Sequence, residues 1–589
     1  MGVPHEGSAE HVPFTPFSSR SSSHPYLSGN FAPIQSSLPL TRCSYTGVIP
    51  PDLAGGQYVR NGGNPLANSD SERTAHWFDG DGMLSGVLFR SCNDGSIVPE
   101  FVNQYLETDV YRYTKRTSSL LHIVFEILRT VLLVVLSRFR SAGATIKKIS
   151  VANTSVVFHD GRALATCESG PPLRFTLPSL ETVGWFDGAK AENEIPTASS
   201  EGTFGGHGPL SWMREWTTAH PRVDPLTNEL ISYHSTFVAP YVRYSVIQPR
   251  HTKSLEARKA KPSPINRPIP GISSPKMMHD FGVSLAHTVI LDLPLSLDPM
   301  NLLRGTPSVS YDSTARSRFG VFPRHNPDLI KCAGNLPTPA VRAVPPEYAE
   351  EEQCRLYYLS FPLGDGGNHD AVIKHQWALS AIAFEFPTVA PAAAMRNARY
   401  VYGCTTGRDT YAAPLGKAAK IDYLAKMDVA TLIARGEADP PREVTGCVDA
   451  RTVREIMARD DPRDPIRLFG MPEGWFAQEP RFVPRVGARS EDDGFLLTYV
   501  FDEAQLDETG ACRPDAVSEL WVIDAKSMRD VVARVKLPQR VPYGLHGNWF
   551  GEEDISGQIP YEKVRRREGE KGQVGLLDKI RETCEDWVG

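Results

Sequence analysis

The sequence predicts an all-β protein closed into a propeller, and three observations carry that prediction. Short β-like runs recur along the chain, among them "SVVFHDGRALATCES", "ELISYHSTFVAPYVRYSVI", "AHTVILDL", "DDGFLLTYVFD" and "SELWVIDAKSM", each rich in β-branched and aromatic residues. Turn-forming residues punctuate them, with 48 Pro and 47 Gly in the 589 residues. The pattern persists from about residue 41 to the C-terminus with no fixed-period repeat such as the WD motif, which points to a large closed architecture whose blades have diverged beyond self-similarity.

Taken in order, residues 1–40 are rich in Ser and Pro and read as a mostly disordered tail, since such a composition buries too little apolar surface to offset ordering. Residues 41–589 then read as one domain. Two runs hinge on "HDG" (159–161) and "DDG" (492–494), which are strong turn signals. Helical insertions on one face are expected at 119–140 and 446–458, and a charged surface helix in the last stretch from Tyr561. The segment 119–139, "SLLHIVFEILRTVLLVVLSRF", is the most apolar of the chain, but His122, Glu126 and Arg129 leave only "TVLLVVLS" free of charge. That is too short to span a bilayer. With Arg138, Arg140, Lys147 and Lys148 just beyond, the alternatives are a helix lying in the membrane interface and an ordinary buried helix.

A net charge of −6 and a pI near 6.3 argue against a nucleic-acid partner. Nine scattered cysteines with no CxxC pair support neither a disulfide framework nor a thiolate zinc site. The N-terminus lacks the apolar core of a signal peptide, so a cytoplasmic protein is expected.

Three of the sixteen histidines stand in apolar, turn-bounded phrases: His220 in "TTAHPRVDP", His279 in "PKMMHDFGVS" and His546 in "RVPYGLHGNWF". Three glutamates lie in similar settings: Glu168 in "ALATCESGPP", Glu385 in "AIAFEFPTV" and Glu479 in "AQEPRFVPR". An acid inside an apolar run costs several kcal/mol unless paired. One pairing that serves both groups is a carboxylate accepting from the Nδ1–H of a metal-bound imidazole. A lone histidine in such a run is more often a satisfied core residue, and spacing alone leaves the choice open.

The phrases "GQYVRNGGNP", "HWFDGDGML", "NTSVVFHDGRALATCESGPP", "LETVGWFDG", "AHPRVDP", "PKMMHDFGVS", "SRFGVFPR", "FEFPTVAP", "ARYVYG", "EPRFVPR" and "VPYGLHGNWF" run nearly end to end. Together they resemble the carotenoid cleavage oxygenases, and most closely the fungal carotenoid and torulene oxygenases. The resemblance implies a seven-bladed β-propeller holding iron(II) through four neutral histidines. His220, His279 and His546 match the first, second and fourth of these ligands; Glu168, Glu385 and Glu479 match the three acids that orient them. By order, Glu168 then orients His279, Glu479 orients His546, and Glu385 belongs to the third ligand.

That third histidine has no counterpart. The family phrase F-H-x-x-N-A should fall between "RFGVFPR" and "EFP", yet residues 326–361 hold no histidine, and His279 and Glu385 are only 106 residues apart. A skipped exon in the gene model, a degenerate oxygenase, and replacement by His325, His369 or His375 are the alternatives. The resemblance implies a dioxygenase cutting one C=C bond of a carotenoid or apocarotenoid to two carbonyl products, with O2 as co-substrate and peripheral membrane contact to draw the polyene from lipid. The rivals are a stilbene-cleaving dioxygenase and a non-catalytic polyene-binding propeller. Stilbene-cleaving members place a lysine before the first acid, where this chain has Cys167.

Overall fold

The computed structural model describes residues 25–66, 77–78, 80–114, 146–195, 204, 214–251, 263–297, 309–312, 315, 317–336, 354–361, 373–407, 420–441, 446–459 and 461–566. The expected helix at 119–139 and His369 lie outside these residues. No helix among the described residues is long and apolar enough to cross a membrane.

The chain forms a seven-bladed propeller. Blade one orders its strands Leu38–Arg42, Ile97–Tyr105, Asp81–Ser91, Gln57–Asn64 and Gly547–Phe550; blade two is Ser155–His159, Arg162–Thr166, Leu173–Phe175 and Thr182–Trp185. Blade three is Arg222–Val223, Leu230–Ser235, Val242–Ile247 and Arg267–Pro268; blade four is Gly282–Val283, His287–Asp292, Ser317–Pro323 and Lys331–Leu336. Blade five has three strands, Tyr357–Ser360, His375–Ser380 and Cys447–Asp449, and its last pair is parallel. Blade six is Glu385–Thr388, Tyr400–Thr405, Tyr423–Asp428 and Ile466–Gly470. In blade seven Arg481–Pro484 and Trp475–Ala477 both pair with Gly494–Asp502, followed by Glu519–Asp524, Val531–Lys536 and Ser44–Gly47.

Both chain ends close the ring. The C-terminal strand Gly547–Phe550 pairs with Gln57–Asn64 of blade one, while the N-terminal strand Ser44–Gly47 pairs with Val531–Lys536 of blade seven. Each blade next to the closure is thus built from strands of both ends of the described chain. The core lies between blades rather than within them. Tyr58, Phe89 and Phe101 of blade one interleave with Leu497, Tyr499 and Val522 of blade seven. Comparable clusters join blades one and two, two and three, three and four, five and six, and six and seven. Each large apolar side chain withdrawn from water there contributes about 1.5–3 kcal/mol. Strands such as Gly494–Asp502, buried almost throughout, therefore read as continuous apolar runs, because blades cover both faces.

Local signals explain several elements and revise others. The "HDG" hairpin forms as expected: Asp160 and Gly161 take positive φ of 48° and 79° between two paired strands, the conformation of a two-residue turn matched to strand twist. "DDG" instead ends a nine-residue loop, in which Asp492 pairs with Lys426 and Asp493 with Arg485. The expected helical insertion at 446–458 is split between the strand Cys447–Asp449 and the helix Val453–Arg459. Reciprocal hydrogen bonds between Thr452 and Glu455 start that helix. A second helix, Val429–Ala438, is capped by Asp428 accepting from the Thr431 N–H at 3.1 Å. Residues 25–40, expected within the disordered tail, are structured. Tyr26, Asn30, Phe31 and Ile34 are buried, because the Phe31 ring packs on Trp77 and Tyr543 and supplies the apolar contact the Ser/Pro-rich composition hid.

Candidate metal centre

In five blades the strand at one edge of the sheet starts at, or just after, one of the singled-out residues. Gly547–Phe550 follows His546, Arg222–Val223 follows His220, Gly282–Val283 follows His279, Arg481–Pro484 follows Glu479, and Glu385 opens Glu385–Thr388. Ladder register thus delivers side chains from distant parts of the chain to one axis. Backbone contacts hold them there. The carbonyl of Ala219 accepts from the hydroxyls of Ser155 and Thr166, both at 2.6 Å, and the His220 N–H donates to Thr218 Oγ1 at 3.0 Å.

The three histidines converge. His220 Nε2 and His279 Nε2 lie 3.0 Å apart, and the His220 ring centroid is 4.5 Å from that of His279 and 4.7 Å from that of His546. His279 Nδ1 donates to Glu168 Oε1 at 2.7 Å, and His546 Nδ1 donates to Glu479 Oε1 at 2.8 Å. An Nδ1–H committed to a carboxylate fixes the tautomer and leaves Nε2 as the free lone pair. Glu168, His220 and His279 present ligand atoms that all lie within 4.8 Å of one another.

Electrostatics match that geometry. Burial, reinforced by His546 and His279, holds His220 well below the ordinary histidine value, so its ring is neutral and able to ligate. The hydrogen bond to Glu168 raises His279. Burial opposes ionisation of Glu479, but His546, Arg60 and the Gly547 N–H outweigh it and hold the carboxyl below its usual range. Three imidazoles, two with their rings fixed by carboxylates, are a donor set that fits a divalent transition metal.

Glu385 is different. It opens the edge strand of blade six and acts electrostatically on His279, yet no histidine among the described residues is hydrogen-bonded to it. It faces the Cys354 thiol, which burial and this carboxylate push up to about 12. His325 bonds Glu229 at 2.9 Å, and His375 opens a strand with its ring against Trp377. Neither supplies the third ligand.

Sequence reasoning missed an aromatic row leading away from the site. Phe386 packs on His546 with centroids 5.5 Å apart, Trp77 lies 5.9 Å from Phe386, and Trp77 stacks on Phe78 at 6.2 Å. Phe78 is 52% exposed. Phe386 takes a positive φ of 55° at a register shift in its strand, an arrangement costly for an aromatic residue and invisible in composition. The adjacent aromatics of "HWFDGDGML" were the available signal.

Comparison with known proteins agrees with this architecture. The family model described as "RPE65: Retinal pigment epithelial membrane protein" matches residues 31–341 and 332–551. The chain is 46% identical to the carotenoid dioxygenase carX of Gibberella fujikuroi over 667 aligned positions, covering 96% of this chain and 93% of the relative. It is 29% identical to a carotenoid 9,10(9',10')-cleavage dioxygenase of Pisum sativum, over 91% and 92% of the two chains. Among solved structures, the lignostilbene dioxygenase of Pseudomonas brassicacearum superposes with a TM-score of 0.62 at 19% identity, covering 91% of this chain and 100% of that one. Cobalt-substituted Synechocystis apocarotenoid oxygenase superposes with a TM-score of 0.59 at 20% identity, covering 88% and 97%. The chain belongs to the RPE65 family, the carotenoid oxygenases.

Proposed function

We propose that the chain is a carotenoid-cleaving dioxygenase whose metal is held by His220, His279 and His546. The observation that carries this reading is the convergence of three imidazoles from three blades, two of them oriented by Glu168 and Glu479, in a chain 46% identical to a fungal carotenoid dioxygenase. The substrate is a carotenoid or apocarotenoid. One C=C bond and the O=O bond break and two C=O bonds form, so dioxygen is consumed stoichiometrically and no further reductant is needed. Iron(II), when bound, supplies the one-electron chemistry that lets dioxygen react with a closed-shell polyene.

The protein's own share is binding, orientation and exclusion of water. Phe386, Trp77 and Phe78 offer an apolar wall from His546 towards the surface, suited to an extended hydrocarbon. The carboxylates keep their imidazoles in one tautomer. Cys167 before Glu168 carries no cation to grip a phenol, which supports a carotenoid rather than a stilbene. Since a polyene partitions into lipid, the enzyme is read as cytoplasmic and peripherally membrane-associated, with 119–139 as the docking segment.

The test is turnover of a carotenoid or apocarotenoid in detergent micelles by the iron(II)-loaded chain under 18O2. One label in each of two carbonyl products is expected. Loss of polyene without paired labelled carbonyls, or cleavage of a hydroxystilbene in preference, would contradict the reading.

A further inference from the structure

Blade five departs from the pattern of the others. Blades three, four, six and seven, and blade one through its C-terminal strand, each have an edge strand that starts beside the site. The strands of blade five begin with Tyr357–Ser360, pair it with His375–Ser380, and end on Cys447–Asp449, a strand taken in parallel from beyond the first three strands of blade six. Elsewhere in the ring the last strand of a blade leads into the axial strand of the next, as Arg267–Pro268 of blade three leads into Gly282–Val283 of blade four. By that rule His375–Ser380, which leads into Glu385–Thr388, is the outer strand of its blade, Tyr357–Ser360 is its neighbour, and the two axial strands have no counterpart among the described residues.

Three further observations fall at the same place. Multi-residue apolar clusters join every other pair of neighbouring blades, whereas among the described residues blades four and five meet through the single ring pair Phe319–Phe361, centroids 5.3 Å apart. His279, on the blade-four side of the site, has a side chain 55% exposed, while His220 as a whole is 9% exposed. Glu385, at the entrance to blade six, accepts from no imidazole among the described residues. The family match points there too. The family match breaks into two stretches that meet at 332–341. The fungal relative's 667 aligned positions take in about 565 residues of this chain, so about 100 positions belong to the relative alone. For the pea relative the same difference is about 50.

We infer that blade five of this chain has lost its two axial strands, and with them an imidazole that would have bonded Glu385, so that the metal centre is a three-histidine site open on the side of blade four. The imidazole is what the family resemblance implies for Glu385: Glu168 and Glu479 each accept from the Nδ1 of a histidine, whereas Glu385, the third matched acid, accepts from none among the described residues. The residues that stand in the interval include Pro337, Pro339, Pro345 and Pro346, which are unsuited to a central ladder. The inference rests on the metal reading of the site but not on turnover.

The test is Co2+ affinity of the 589-residue chain, by chelator competition. Glu168→Gln and Glu479→Gln should each weaken binding about 10–100-fold, the usual cost of removing a carboxylate behind a ligating histidine. Glu385→Gln should change it less than about twofold. Inserting the fungal relative's block between Leu336 and Cys354 should tighten binding at least tenfold and make Glu385→Gln as costly as the other two. If the insertion fails to fold, the point variants decide. A tenfold or greater loss from Glu385→Gln in the 589-residue chain would overturn the inference, because the carboxylate would already be supporting a donor. Absence of Co2+ binding in the unsubstituted chain would overturn the metal reading itself, a distinguishable failure because no variant would then differ.

Discussion

Glu479 meets His546, the Gly547 N–H and Arg60 at once, in a site it shares with the half-buried Arg481. Glu479→Ala leaves an imidazole unoriented and guanidinium groups without their counter-charge. It should weaken metal binding about 10–100-fold and cost about 3–5 kcal/mol of stability, measured by chelator competition and urea denaturation. A second carboxylate away from the site gives the acid limb. Burial disfavours the Glu229 anion, but His325, Gln248 and Arg324 outweigh it and hold the group down to about 2, against an ordinary 4.5. A depressed folded-state value means the contribution is complete above pH 4.5 and lost as pH falls towards 2, up to about 3 kcal/mol. Glu229→Gln should flatten the stability profile across that window, and an unchanged profile would refute the assignment. The convergent histidines and two of their carboxylates were legible as residues because apolar phrases advertise a buried polar group. Phe386 was not, since its role depends on a positive φ that only the folded strand imposes.

The 155–166 hairpin joins sequence to structure most directly at the element scale. Gly161 sits at φ 79° and a Cβ there would lie 2.8 Å from Ile559 Cγ1 and 3.1 Å from the Gly557 carbonyl. Gly161→Ala should cost about 1–2 kcal/mol, read from the urea midpoint, and would carry strain into the strand leading to Glu168. "HDG" was readable because two residues suffice to reverse the chain. "DDG" also marked a turn, but within a nine-residue connection, where Asp492 and Asp493 are held by Lys426 and Arg485. The helix Val429–Ala438 was missed because "VATLIARGEA" follows a strand directly and its cap, Asp428, is the last residue of that strand. For the apolar segment 119–139, deletion should move the protein from the membrane pellet to the soluble fraction while its thermal unfolding stays cooperative. Unchanged partitioning would mark an ordinary core helix.

Seven blades closed by both termini explain how a site can be assembled from residues as far apart as His220 and His546. Closure places each axial strand against its neighbours, so one register fixes several ligands. The fold class was legible in short strands and turn spacing because those are local properties. The proposed loss in blade five was legible only as a missing phrase, because strands absent among the described residues leave no residue to read. The central proposal is that imidazoles from three blades share one metal ion. Anomalous diffraction from crystals of the 589-residue chain grown with Co2+ tests this most directly. The account predicts a single peak about 2.0–2.2 Å from the Nε2 atoms of His220, His279 and His546 together. A peak bonded to fewer than two of them, or located away from the propeller axis, would contradict it.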